Sequence, residues 1–109
     1  MKISGYAGRI LYVDLTTGSV RRQRLSEEAI RGFLGGAGIN YWLAAQVIDP
    51  KADPFSPGNA VILGAGPFSG TIIPSSAELS ATTKVPVNGA IASARGGGAF
   101  AAMLKSSGY

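Results

Sequence analysis

The fold of this chain is decided by its last third. Glu78-Leu79-Ser80-Ala81-Thr82-Thr83-Lys84 is followed by Pro86-Val87-Asn88-Gly89, by Ala90-Ile91-Ala92-Ser93-Ala94 and by Arg95-Gly96-Gly97-Gly98. The first run alternates loosely and reads as a strand. Asn88-Gly89 is the strongest short-range hairpin signal, so Ala90 to Ala94 reads as the partner strand. Beyond the glycines, Ala99 to Lys105 reads as a helix.

Toward the N-terminus, Ala60-Val61-Ile62-Leu63 is a short apolar strand expected to be buried on both faces. Gly64 to Gly70 reads as a turn-rich loop, and Lys51 to Asn59, with Pro54 and Pro57, as another. Ile39 to Val47 reads as a helix ended by Asp49-Pro50. Ser26 is an N-cap with Glu27 and Glu28 in the first turn, and Ala29, Ile30, Phe33 and Leu34 fall on one helical face before Gly35-Gly36. Arg9 to Leu15 and Val20 to Leu25 read as strands joined at Thr16-Thr17-Gly18-Ser19. The order ββαα-β-ββ-α predicts one small α+β domain spanning 1–109, with antiparallel hairpins and about three helices.

Only 15% of the 109 residues are charged, against about 25% in an average domain. So apolar a chain is expected to hide part of its surface against another domain or subunit. With no Cys and no His, the chain has no thiol or His-based catalysis, no disulfide and no residues for zinc or iron–sulfur ligation. No catalytic and no metal-binding residue is assigned. Met1 to Tyr6 has no apolar leader segment, and no apolar run is long enough to span a membrane. The expected location is the cytoplasm.

Arg21, Arg22 and Arg24 contribute to the net charge of +4. Aromatic residues do not interleave with them as single-strand binding requires, so they read as a solvated strand edge and no nucleic-acid partner is expected. Gly64-Ala65-Gly66 is no dinucleotide fingerprint: Pro67 and Pro74 prevent a helix from following, and the next acid, Glu78, comes too early. Arg95-Gly96-Gly97-Gly98, between a strand and a helix, is a candidate anion cradle. Glycines there admit convergent N–H groups, the helix adds a positive end, and Arg95 adds a planar cation, with Lys84 a possible neighbour. The same glycines equally suit a close helix–strand crossing.

Several stretches in order resemble the aldehyde ferredoxin oxidoreductases. They are Gly5-Tyr6-Ala7-Gly8-Arg9-Ile10-Leu11 through Asp14-Leu15-Thr16-Thr17-Gly18, Leu34-Gly35-Gly36-Ala37-Gly38, Asp53-Pro54-Phe55-Ser56-Pro57-Gly58-Asn59, Gly64 to Thr71, Thr83-Lys84-Val85-Pro86, Gly97-Gly98-Ala99-Phe100 and Leu104-Lys105 with Gly108-Tyr109. The resemblance implies half of that family's N-terminal domain, a base on which a tungsten (in a few relatives molybdenum) bis-pterin sits. It implies oxidation of aldehydes to carboxylates with electrons passed to ferredoxin, and a [4Fe–4S] cluster bound elsewhere. The chain would then be a truncated or split part, inactive alone and partnered by the remainder of the enzyme.

Two positions depart from the family pattern: its pterin-contacting Arg falls at Glu78, and its Asn falls at Arg95. The resemblance thus points to Arg95, Gly96, Gly97 and Gly98 as cofactor-binding, and to Glu78 and Lys84 as positions beside them. This chain alone holds the cofactor or none. The alternative is a non-catalytic interaction domain that self-associates into a homo-oligomer.

Overall fold

The structure, a computed structural model, describes residues 4–109; the expectation for Met1–Ile3 lies outside them. The elements are β1 (Arg9–Asp14), β2 (Ser19–Arg24), α1 (Glu27–Gly32), α2 (Ala37–Val47), β3 (Ile62–Ala65), β4 (Glu78–Lys84), β5 (Ile91–Gly97) and α3 (Phe100–Ser106). Their order is the expected one, and the chain is a small α+β domain. Strands β1 and β2 form a two-stranded antiparallel ribbon, and β3-β4-β5 form an antiparallel sheet with β4 in the middle.

Strand β4 covers the expected residues. Strand β5 runs further, because Arg95, Gly96 and Gly97 pair with Ser80, Leu79 and Glu78. Pro86 offers no N–H, so the ladder closes one step earlier, with the Val85 N–H donating to the Ala90 carbonyl. Gly89 turns the chain at φ 70°.

Three local expectations are corrected. Helix α1 stops at Gly32; Phe33 is already extended, so Phe33 and Leu34 lie outside it. Helix α2 begins at Ala37, N-capped by Gly36 at φ 76°, a conformation that suits only glycine. Strand β3 starts at Ile62 and is not buried on both faces: Leu63 is exposed, because β3 is an edge strand with a partner on one side only.

Helix α2 packs across β3 and β4. The β4 side chains that are shielded there, Ser80, Thr82 and Lys84, are all polar. Thr82 and Lys84 are tolerated because their side chains find partners, and Ser80 borders a hollow beside the first turn of α2. The buried carboxamide of Asn40, on α2, donates to the carbonyls of Ile62 and Ser80 and to Thr82 Oγ1 at 3.0–3.2 Å. Thr82 Oγ1 also bonds Ser93 Oγ at 2.6 Å. Among the described residues no shielded side-chain polar atom lacks a partner.

The apolar core is small. Among the described residues the shielded apolar side chains are Ala29, Ile39, Leu43, Ala44, Ile48 and Ala101. Half of them are alanine, while Phe55, Phe68, Ile72, Phe100 and Met103 are exposed. The accessible surface is 7216 Å², against about 5,700 Å² for a monomeric protein of this mass.

Candidate functional site

A hollow of about 300 Å³ opens beside the first turn of α2. Gly35, Gly36, Ala37 and Gly38 form one wall and Gly66, Pro67, Phe68 and Ser69 the other, with Ser80, Glu78 and Arg95 at its sheet side. The walls come close because Gly35 has no side chain: a Cβ there would stand 3.1 Å from Pro67 Cδ and 3.2 Å from the Ala65 carbonyl. Ala37 and Gly38 are the first residues of an eleven-residue helix, where N–H groups lack intrahelical acceptors and the helix end is positive.

The walls are braced from outside. The Tyr6 hydroxyl accepts from the Gly35 N–H at 3.2 Å. Lys105, from α3, donates to the carbonyls of Pro67 and Gly66. Desolvation by burial holds the Lys105 ammonium below its ordinary pKa. Ser69, almost fully buried, donates to the Ser76 carbonyl at 2.9 Å.

Glu78 and Arg95 meet across the β4–β5 pair at 3.8 Å, both more than half exposed. The carboxylate thus offsets the cation that the sequence puts forward as an anion ligand. The other expected residues lie differently. Gly96 and Gly97 are ladder residues of β5, and Gly98 follows at φ 125°, so they form no loop cradle and do not line the hollow. Nor do they serve a close crossing, since a Cβ on any of the three would meet nothing within 4 Å.

Lys84 is set apart. It lines a second, smaller hollow, and its ammonium donates to the carbonyls of Pro50 and Ala52, both at 2.7 Å. Asn59 completes that junction: its amide donates to the carbonyls of Pro54 and Lys84, and its oxygen accepts from the Lys84 N–H. The Asp53–Asn59 segment and the Thr83-Lys84 pair are therefore structural partners.

Gly35, Gly36, Gly38 and Gly66 are the site residues that sequence reasoning missed. Both glycine clusters are visible in the sequence, but nothing local says that they face each other. Among the described residues no group of three or more acidic, His or Cys side chains is placed to hold a metal ion, and no helix is long and apolar enough to cross a membrane.

The family model described as aldehyde ferredoxin oxidoreductase, N-terminal domain, matches residues 10–109. The chain belongs to this family. It is 41% identical over 105 residues to a tungsten-containing aldehyde ferredoxin oxidoreductase of Pyrococcus abyssi, covering 96% of the chain and 17% of that relative. A Pyrococcus furiosus enzyme of the same name is 39% identical over the same shares. The WOR-like subunit of an aliphatic sulfonate oxidoreductase from P. furiosus is 32% identical over 68 residues, or 60% of the chain and 11% of that subunit.

Among solved structures, the active site complex BamBC of benzoyl coenzyme A reductase with 1,5-dienoyl-CoA superposes with a TM-score of 0.92 and 33% identity. The match covers 97% of the chain and 16% of that structure's chain. The chain thus spans about a sixth of the length of the aldehyde ferredoxin oxidoreductases it matches. Its excess surface agrees with a place inside a larger enzyme or subunit complex.

Proposed function

We propose that this chain forms part of the base beneath a tungsten bis-pterin in a cytoplasmic aldehyde oxidoreductase whose electrons go to ferredoxin, and that it is not catalytic alone. The observation that carries this reading is the glycine-walled hollow at the start of α2. When bound, the cofactor supplies the redox centre for oxidising an aldehyde to a carboxylate; its iron–sulfur partner belongs to other parts of the enzyme.

The residues fit such a group in shape and in backbone donors. Gly35 and Gly36 let the helix start approach without side-chain obstruction. The free N–H groups of Ala37 and Gly38 favour an anionic substituent such as a phosphate. Tyr6 and Lys105 hold the walls in place. At about 300 Å³ the hollow takes only part of a large cofactor, which agrees with a base completed by further chain. Arg95 is poised at the rim but paired with Glu78, so the helix end carries most of the attraction for an anion. Gly96, Gly97 and Gly98 do not line the hollow but leave open surface next to Glu78, and in this reading they extend the base beyond it.

The test is anaerobic purification of this chain together with the product of the neighbouring gene, followed by tungsten analysis and pterin fluorescence. Stoichiometric tungsten with pterin in the complex is the expected result. A complex free of both metal and pterin overturns the proposal.

A second reading is a non-catalytic domain that self-associates. Its support is the exposure of Phe68, Ile72, Phe100 and Met103 on a domain with so small a core. Sedimentation of the isolated chain over a wide concentration range distinguishes the two, because a strictly monomeric species counts against self-association.

A further inference from the structure

The β1–β2 ribbon stands apart from the body of the domain. It has no extended packing interface with any helix or with the second sheet. Its register puts Arg9 opposite Arg24, Leu11 opposite Arg22 and Val13 opposite Val20. Directly paired residues project to the same face of a ribbon. One face therefore carries three arginines around an apolar stripe, and all six side chains are exposed.

These arginines are not neutralised. The ion pairs found among the described residues join Arg31 to Glu27 and Arg95 to Glu78, and neither involves the ribbon. The single ribbon acid, Asp14, lies on the opposite face and accepts the N–H groups of Thr16 and Thr17 in its own turn. Arg22 is steadied by a hydrogen bond from its Nε to the Tyr109 hydroxyl. Edge protection against strand pairing explains exposed arginines on a lone ribbon, but not the apolar stripe between them.

We propose that this face docks an acidic ferredoxin, the arginines meeting its carboxylates and Leu11, Val13 and Val20 its apolar centre. The proposal rests on the reading of the chain as part of a ferredoxin-linked oxidoreductase. Charge complementarity selects an acidic protein over a second copy of this chain, whose ribbon would be repelled. Size selects a transient encounter. A ribbon of six pairs is about 20 Å long, so one face offers on the order of a few hundred Å². Stable complexes need roughly 800 Å² per partner, whereas electron-transfer encounters are smaller and weaker.

The experiment is a titration of the 109-residue chain with purified oxidised [4Fe–4S] ferredoxin, followed by NMR at about 20 mM and about 300 mM salt. Binding is expected at low salt, weakening about tenfold or more at high salt. Arg9→Glu, Arg22→Glu and Arg24→Glu combined should weaken binding at least about tenfold, and the glutamine triple should give an intermediate loss. Arg31→Glu with Lys51→Glu, a charge reversal elsewhere, should leave binding unchanged. Circular dichroism confirms that each variant is folded.

If the triple variant binds like the unaltered chain, the docking site is elsewhere and the proposal fails while the ferredoxin-linked reading stands. If the unaltered chain binds no ferredoxin at low salt, the proposal fails and the ferredoxin link is in question with it. Tighter, arginine-dependent binding to duplex DNA or to phosphatidylserine vesicles than to ferredoxin also overturns it.

Discussion

The carboxamide oxygen of Asn40 occupies the place where a Cβ on Gly64 would stand. The two residues come from α2 and β3, and the contact sets how closely the helix lies on the sheet. Gly64→Ala therefore forces either the helix outward or the Asn40 side chain off its three acceptors. We expect a loss of about 2–4 kcal/mol in urea denaturation, from overpacking plus broken hydrogen bonds. Adding Asn40→Ala to that variant should cost much less than Asn40→Ala alone, a non-additivity that a double-mutant cycle reads directly.

Lys84→Met should cost about 1–3 kcal/mol, because it leaves the Pro50 and Ala52 carbonyls without their donor. The effect is local. Hydrogen exchange should speed up over residues 49–59 and not in the β1–β2 ribbon.

Glu78→Gln removes the carboxylate from Arg95 at an exposed rim. Stability should change by less than about 0.5 kcal/mol, as for most exposed pairs. Affinity for inorganic pyrophosphate should instead rise about threefold to tenfold, as one repulsive charge near the hollow is lost. Isothermal calorimetry at low salt checks this, and Arg95→Gln should act in the opposite direction.

Burial lowers the pKa of Lys105 in the folded chain below its unfolded value. The unfolded state then binds more protons across the interval between the two values, so this residue's contribution to stability rises as pH increases through that interval. It is present in full above the unfolded value and lost as pH falls through the folded one. Lys105→Arg does not titrate there, so the stability difference between the unaltered chain and this variant should shift in favour of the unaltered chain as pH rises toward the ordinary lysine value of about 10.4. Urea titrations at stepped pH measure it.

The parts of this fold legible in the sequence are those set by near neighbours. Glu78–Lys84 alternates, Asn88-Gly89 turns and Ser26 caps α1 through its hydroxyl, which accepts from the Ala29 N–H. Strand β3 is less legible, because Ala60 to Leu63 looks like an interior strand and nothing nearby shows that β4 is its single neighbour. The hollow was not legible as a site, since residues 34–38 meet residues 66–69 only through the packing of α2 on the sheet. One signal for the buried polar cluster is present: Asn40 stands between Ile39 and Leu43 in the apolar first two turns of α2, where no other side-chain amide or charge occurs. A polar residue there implies acceptors facing it, and β4 supplies Thr82. The family resemblance singles out Gly96 to Gly98, whereas the glycines that line the hollow are Gly35, Gly36, Gly38 and Gly66.

The oversized surface also governs how the chain unfolds. Denaturant sensitivity and heat-capacity change both scale with the area newly exposed on unfolding, and a chain whose folded form keeps 7216 Å² accessible exposes less new area than an ordinary monomer of its mass. Its melting alone is then expected to be less steep than that of an ordinary monomer of this size. If, as proposed, the chain is seated in a larger assembly, folding and association become one transition whose sharpness belongs to the assembly.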